Sequence, residues 1–485
     1  MKTFQVVLSC LAASGWSTAT AQGPCGTGTN PCLVQELNPG PGDSTGFGTS
    51  MDVAGDLLVV GAPLADPAGQ DPYGDIGAVY PSHWDGHLWI PEAPFYLPLV
   101  PSQCPAQTCL GGFGQSVSIG GDRLLVGATR FGYANCDSEC SAVFVYRREA
   151  SSWVFEAQLP FPSDQPYLET QFGIAVATDG LYAAVGDRVW PDPPDPGGWD
   201  IGRVYLYRRE GQCWNLMSPS YLESPGGQTG FFGWPLAMDA GRLVVGAHRY
   251  DIERPPPPQN FWSGAVFVYQ LDSIQETWTL AQALYRPGAE MNLYFGIGVS
   301  LQGSRLAISA VLTPSNTRQG AVYVYGYSSG AWVPEATLTA SDGEPRDEFG
   351  AGVDIDGDNL LISTSGDRTQ GPTARRLIGD QTASPTFPAN SVYLFRRMSG
   401  AWTQVAKIPP YSRRDRSQFG RSIALHGDRA LVGSLDTRSP RHDMVSVFAS
   451  GGADCNGNGV PDACDILRGA SLDLDGNHVP DECDG

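Results

Sequence analysis

Lysine is almost missing. Lys2 and Lys407 are the only two, and Arg supplies the rest of the 30 basic residues against 51 acidic ones. The formal charge of −21 repels phosphate backbones and anionic lipid, so neither nucleic acid nor a lipid surface is expected as a partner. No stretch approaches the ~20 apolar residues of a membrane span. The six histidines include no H-E-x-x-H or other ligand pair. Gly111-Gly112-Phe113-Gly114 lacks the Lys of a phosphate-binding loop. Gly42-Asp43-Ser44-Thr45-Gly46 spells G-x-S-x-G, but it stands in a Pro/Gly loop. A nucleophile elbow needs a strand before it and a helix after it. No catalytic residue and no organic cofactor is therefore expected.

Chain punctuation is abundant instead: 60 Gly and 39 Pro. That density points to many short strands joined by turns. A hydrophobic content of 41% suffices for a large core. Residues 1–21 read as a secretory leader. Lys2 gives the charged start, Phe4 to Ala13 the apolar run, and Ala19-Thr20-Ala21 the cleavage site. A secreted or cell-surface protein is expected. Cysteine usage agrees, with close pairs at Cys25/Cys32, Cys104/Cys109, Cys136/Cys140 and Cys455/Cys464 that suit local disulfides. Cys213 and Cys483 are left over.

A Phe-Gly pair organises residues 22–450. It recurs at Phe47, Phe113, Phe172, Phe232, Phe295, Phe349 and Phe419, at a mean period of about 62 residues that suits a propeller or solenoid. Fourteen residues after each Phe stands a small residue ending an apolar run: Gly61, Gly127, Gly186, Gly246, Ser309, Ser363 and Gly433. A polar or Gly turn lies midway, so each segment reads as a tight hairpin. A third strand alternates aromatic and aliphatic residues, as in Val322-Tyr323-Val324-Tyr325. A fourth opens on Trp in six copies, from Trp89 to Trp402. Seven units of four strands predict an all-β, seven-bladed β-propeller of antiparallel blades. The seventh unit lacks its fourth strand. Leu33 to Leu37 resembles that strand and is expected to close the ring.

The units resemble FG-GAP repeats, those of the integrin alpha-chain propeller. Phe47-Gly48 with Gly61-Ala62-Pro63 carries both halves of the motif. The resemblance implies the propeller fold. In that family calcium sits in a long Asp-rich loop between the first two strands, and here that connection is short. Asp354-Ile355-Asp356-Gly357-Asp358 is read as a solvated turn.

Alternating strand direction places the long second-to-third and fourth-to-first loops on one face. Trp190, Trp199, Tyr250, Phe261 and Trp262 are candidate ligand residues there, for a glycan or an extracellular protein.

Residues 451–485 differ in kind. Asp454, Asn456, Asn458, Asp462 and Asp465, with the Val460 carbonyl, follow the oxygen spacing of an EF-hand calcium loop. Asp473, Asp475, Asn477, Asp481 and Asp484, with the Val479 carbonyl, repeat it. The tail resembles dockerin and thrombospondin type 3 modules, which implies bound calcium and, for the former, a cohesin-like partner. The expectation from sequence is a non-catalytic binding or adhesion protein tethered through this tail. An extracellular polysaccharide lyase or hydrolase is the alternative.

Overall fold

The computed structural model describes residues 17–19, 31–39, 46–65, 76–98, 111–129, 141–161, 171–187, 202–227, 230–250, 263–286, 294–311, 319–344, 347–365, 390–410, 418–435, 443–449, 471–472 and 481. Seven antiparallel sheets stand around a central channel. Each holds one repeat, and the fold is an all-β seven-bladed propeller. The second blade is representative: Phe113–Gly120, Arg123–Ala128, Ala142–Glu149 and Ser152–Gln158 pair in sequence order. The first strands of successive blades lie against one another in a closed cycle, so they are the innermost. Among the described residues the only helical turn is Pro225–Gly227.

The Phe-Gly motif has a mechanical reason. Its Phe is fully buried in six units and 1% exposed at Phe419, and its ring meets a third-strand aromatic edge to face, as in Phe47–Tyr80 at 5.2 Å. The following Gly takes positive φ in all seven units, from 80° at Gly420 to 100° at Gly233, a region that favours Gly. Its carbonyl then presses on the preceding blade. A Cβ added at Gly61 would stand 2.1 Å from the Gly114 oxygen, and one at Gly186 would stand 2.0 Å from the Gly233 oxygen. The constant spacing of 14 therefore marks where neighbouring blades touch backbone to backbone. Most of the apolar core lies between sheets. Leu124, Val126 and Phe144 of the second blade, for instance, pack with Val59 and Val79 of the first.

The last blade closes as the sequence suggested. Cys32–Asn38 pairs with Met444–Ala449, with a bulge between Leu33 and Gln35. Gln35 is 2% exposed and reaches the next blade. Its amide donates to the Trp89 carbonyl at 2.7 Å and accepts from the Trp89 N–H at 3.0 Å. The same clasp recurs inside the ring, where Gln282 holds the backbone of Trp332. Ser17–Ala19, within the segment read as a leader, pairs with the outer edge of Cys32–Asn38.

Candidate functional site

The innermost strands run from the long-loop face to the short-turn face. The fifth residue after each Phe reads Asp52, Ser118, Ala177, Ala237, Ser300, Asp354 and Ala424 around the ring. Where this residue is polar it reaches the next blade and accepts a hydrogen bond from that blade's innermost backbone. Asp52 accepts from the Ile119 amide at 2.6 Å, and Asp354 accepts from the Leu425 amide at 2.7 Å. Ser118 and Ser300 make the same clasp to the Thr178 and Ile355 amides at 3.3 and 3.1 Å. One turn further along, the Asp239 and Asp356 carboxylates receive the Gly303 and Gly427 amides.

The two acids differ from the serines in charge. Burial pushes the Asp52 carboxyl up to about 6, although the Ile119 and Val53 amides and the Ser118 hydroxyl pull the other way. Burial pushes Asp354 up to about 7 against the Leu425 amide and Ser300 hydroxyl, and the nearby Asp52 and Asp356 charges add to the rise. Both groups exchange protons near neutral pH, and Asp354 feels the charge of Asp52. Two carboxyls raised towards neutral pH at one register position are candidates for proton transfer.

Arg421 stands two residues before the innermost strand of the seventh blade, Ile423–His426, which lies between the blades that carry Asp354 and Asp52. The residue is exposed, and desolvation by the protein around it lowers its guanidinium below its ordinary value. At the opposite end of the channel the hairpin turns carry Asp56, Asp122, Asp179, Asp239, Asp356, Asp358 and Asp428. No group of three or more His, Cys, Asp or Glu side chains among the described residues could hold a metal ion.

Sequence reasoning missed this site. Asp354 is not in a solvated turn: it lies in the strand Gly352–Asp356, partly buried between the sixth and seventh blades. Of the ligand candidates, Tyr250 is buried. Its hydroxyl donates to the Pro225 carbonyl at 3.0 Å, and its ring packs on Phe267 at 5.2 Å. Trp190, Trp199, Phe261 and Trp262 lie outside the described residues. So do the calcium-loop residues, except Asp481, whose amide donates to the Leu472 carbonyl at 2.7 Å. Cys213 is an exposed free thiol.

The FG-GAP repeat family model matches residues 332–376, the last strand of the fifth blade and the first hairpin of the sixth. No curated protein is similar in sequence. Three solved structures are similar over most of their length. A Bacteroides fragilis protein assigned as a 6-phosphogluconolactonase is 9% identical, with a TM-score of 0.43 over 83% of this chain and 97% of that one. The periplasmic gluconolactonase of Pseudomonas aeruginosa is 14% identical, at 0.43 over 81% and 96%. A Bacteroides uniformis protein assigned as a 6-phosphogluconolactonase is 11% identical, at 0.45 over 79% and 93%. At these identities the likeness is one of fold. The expectation of a non-catalytic binding or adhesion protein is corrected to the extent that these three similar structures carry enzyme names, which are said of those proteins and not of this chain.

Proposed function

We propose that this propeller is an extracellular hydrolase in which Asp52 and Asp354, on the wall of the central channel, act as an acid–base pair. The observation that carries this reading is the pair itself: two carboxyls at one register position, both partly buried and both raised towards neutral pH. A protonated Asp354 donates to a leaving oxygen, while ionised Asp52 takes a proton from the attacking water. Lactones, the substrates in the names of the three propellers above, are the first compounds to try. Polysaccharides are the second. The secretory leader and the two calcium loops of residues 451–485 belong to the same proposal and are supported by sequence spacing alone.

The test is turnover by the full-length chain on a panel of aldonolactones and polysaccharides, with Asp52→Asn and Asp354→Asn as partners. Asn keeps an oxygen for the backbone clasp and removes the titrating proton. A fall of about 100-fold or more in kcat is expected for each variant. If the wild type is no faster than the double variant on every substrate, the reading fails.

A further inference from the structure

In each blade one residue late in the third strand lies opposite the first residue of the second strand. Around the ring it reads His83, Arg147, Arg208, Gln270, Gly326, Arg396 and Ala449. Ala449 is fully buried. Gly326 is different, because the backbone does not require it. Its φ lies outside the left-handed region. The one atom that a Cβ there would approach within 4 Å is Glu335 Oε2, the tip of a flexible side chain, at 3.2 Å. Without a side chain at Gly326 a cavity of about 320 Å³ stands open, bordered by Arg305, Tyr327, Val333, Glu335 and Arg397 among others.

The second blade shows what fills the same place. There Arg147 is the counterpart of Gly326, Arg123 of Arg305 and Glu156 of Glu335. Glu156 Oε1 accepts from the Trp214 indole at 2.9 Å, and its Oε2 lies 2.9 Å from Arg123 and 3.8 Å from Arg147. In the fifth blade the Trp402 indole and Arg397 Nε both donate to Glu335 Oε1. Arg305 turns away, to Asp358 at 3.0 Å and to the Gly357 carbonyl at 2.9 Å. Glu335 thus meets one arginine where Glu156 meets two. Its Oε2 accepts no hydrogen bond from the described residues, and it borders the position that a side chain at Gly326 would enter.

We infer that this cavity binds the guanidinium of an arginine, which donates to Glu335 Oε2 and takes the place that Arg147 holds in the second blade. Arg397 does not forbid a second cation, since Glu156 already has two arginines within 4 Å. A planar guanidinium matches a carboxylate better than an ammonium does. Its aliphatic stem has apolar surface to cover at Val333, which is 46% exposed, and at Pro334. Tyr327 offers an aromatic ring of the kind that arginine packs on, as Arg242 does on it at 4.2 Å. A net charge of −21 draws cations to the protein. Neither Asp52 nor Asp354 borders the cavity, so the site stands independently of the hydrolase reading.

Calorimetric titration of the full-length chain at low ionic strength tests it, with L-arginine, N-acetyl-L-arginine amide and L-lysine as separate probes. At least one guanidinium probe should bind, and L-lysine should bind about 10-fold more weakly or not at all. Binding of both guanidinium probes identifies the side chain of a partner chain as the ligand; binding of L-arginine alone identifies the free amino acid. Gly326→Arg copies Arg147, so it should fold and abolish binding. Glu335→Gln should weaken binding about 10-fold, and Asp354→Asn should leave it unchanged. Near-UV circular dichroism confirms that each variant is folded. No binding of either guanidinium probe by the wild type, equal binding of L-lysine, or undiminished binding by a folded Gly326→Arg variant overturns the site.

Discussion

Replacing Asp354 with Asn should make the protein more stable at alkaline pH. The unfolded chain releases this proton near 3.8, and the folded chain holds it to about 7. Between those values the native state binds more protons than the unfolded state, so stability falls as pH rises. Above pH 7 both states are ionised and the penalty is complete. At 1.36 kcal/mol per tenfold change in proton affinity it reaches at most about 4 kcal/mol. Asn has no proton to lose there. It keeps an acceptor for the Leu425 amide, while the bond from the Ser300 hydroxyl at 3.0 Å must rearrange, at a cost of about 1 kcal/mol. The net expectation at pH 8 is a gain of about 3 kcal/mol. Near pH 4 the gain vanishes and the small hydrogen-bond loss remains. Urea unfolding followed by the fluorescence of the 12 tryptophans, at pH 4, 6 and 8, measures the crossover. A variant destabilised equally at all three values would refute the buried-carboxyl reasoning.

Three other outcomes follow from the geometry. Gly61→Ala sets a methyl 2.1 Å from the Gly114 oxygen and should cost about 1–3 kcal/mol as the blades are forced apart; an unchanged urea midpoint would show that the contact is slack. Gln35→Ala strands the Trp89 N–H and carbonyl and should cost about 3 kcal/mol, matched by Gln282→Ala at the equivalent interior clasp; a silent Gln35→Ala beside a costly Gln282→Ala would mean that the N-terminal strand does not hold the ring. Calorimetric titration of the full-length chain with Ca²⁺ should give heat that is reduced in Asp454→Ala and in Asp473→Ala, the second site being weaker because His478 replaces the Gly of the first; no heat at millimolar Ca²⁺ would remove calcium from the account.

The scaffold was legible because geometry dictates residue identity at fixed intervals. Only Gly meets the positive φ after each Phe at low cost, and only a small residue fits where the next carbonyl lands. Those demands recur seven times, so they show in one sequence. The closing strand was legible because Leu33 to Leu37 fills the same inter-blade space as the other fourth strands. Asp354 was not. The run from Asp354 to Asp358 has the spelling of a polar turn. That its first acid reaches across to Leu425 depends on how the blades are stacked, which no local pattern encodes. Tyr250 misled in the opposite direction. It precedes a run of prolines and reads as loop, but the chain beyond Ala247 folds back and seats its ring on Phe267.

The repeat also exposes its own exceptions. A clasp at the fifth position needs only an acceptor, and Ser supplies it at two blades without burying charge. Asp at the other two makes the same bond while carrying a desolvation penalty of about 3 kcal/mol for Asp52 and 4 kcal/mol for Asp354 at alkaline pH. Stability alone would place Ser at both positions. The double replacement Asp52→Ser, Asp354→Ser therefore separates scaffold from chemistry. It should fold with clasps intact and unfold at higher urea than the wild type at pH 8. If the carboxyls have a chemical task, the same protein should lose turnover while it gains stability, the trade expected where function holds a site away from its stability optimum. A double variant that is less stable at pH 8 would show that the longer Asp side chain is needed to bridge the blades, and the acids would then be explained by structure alone.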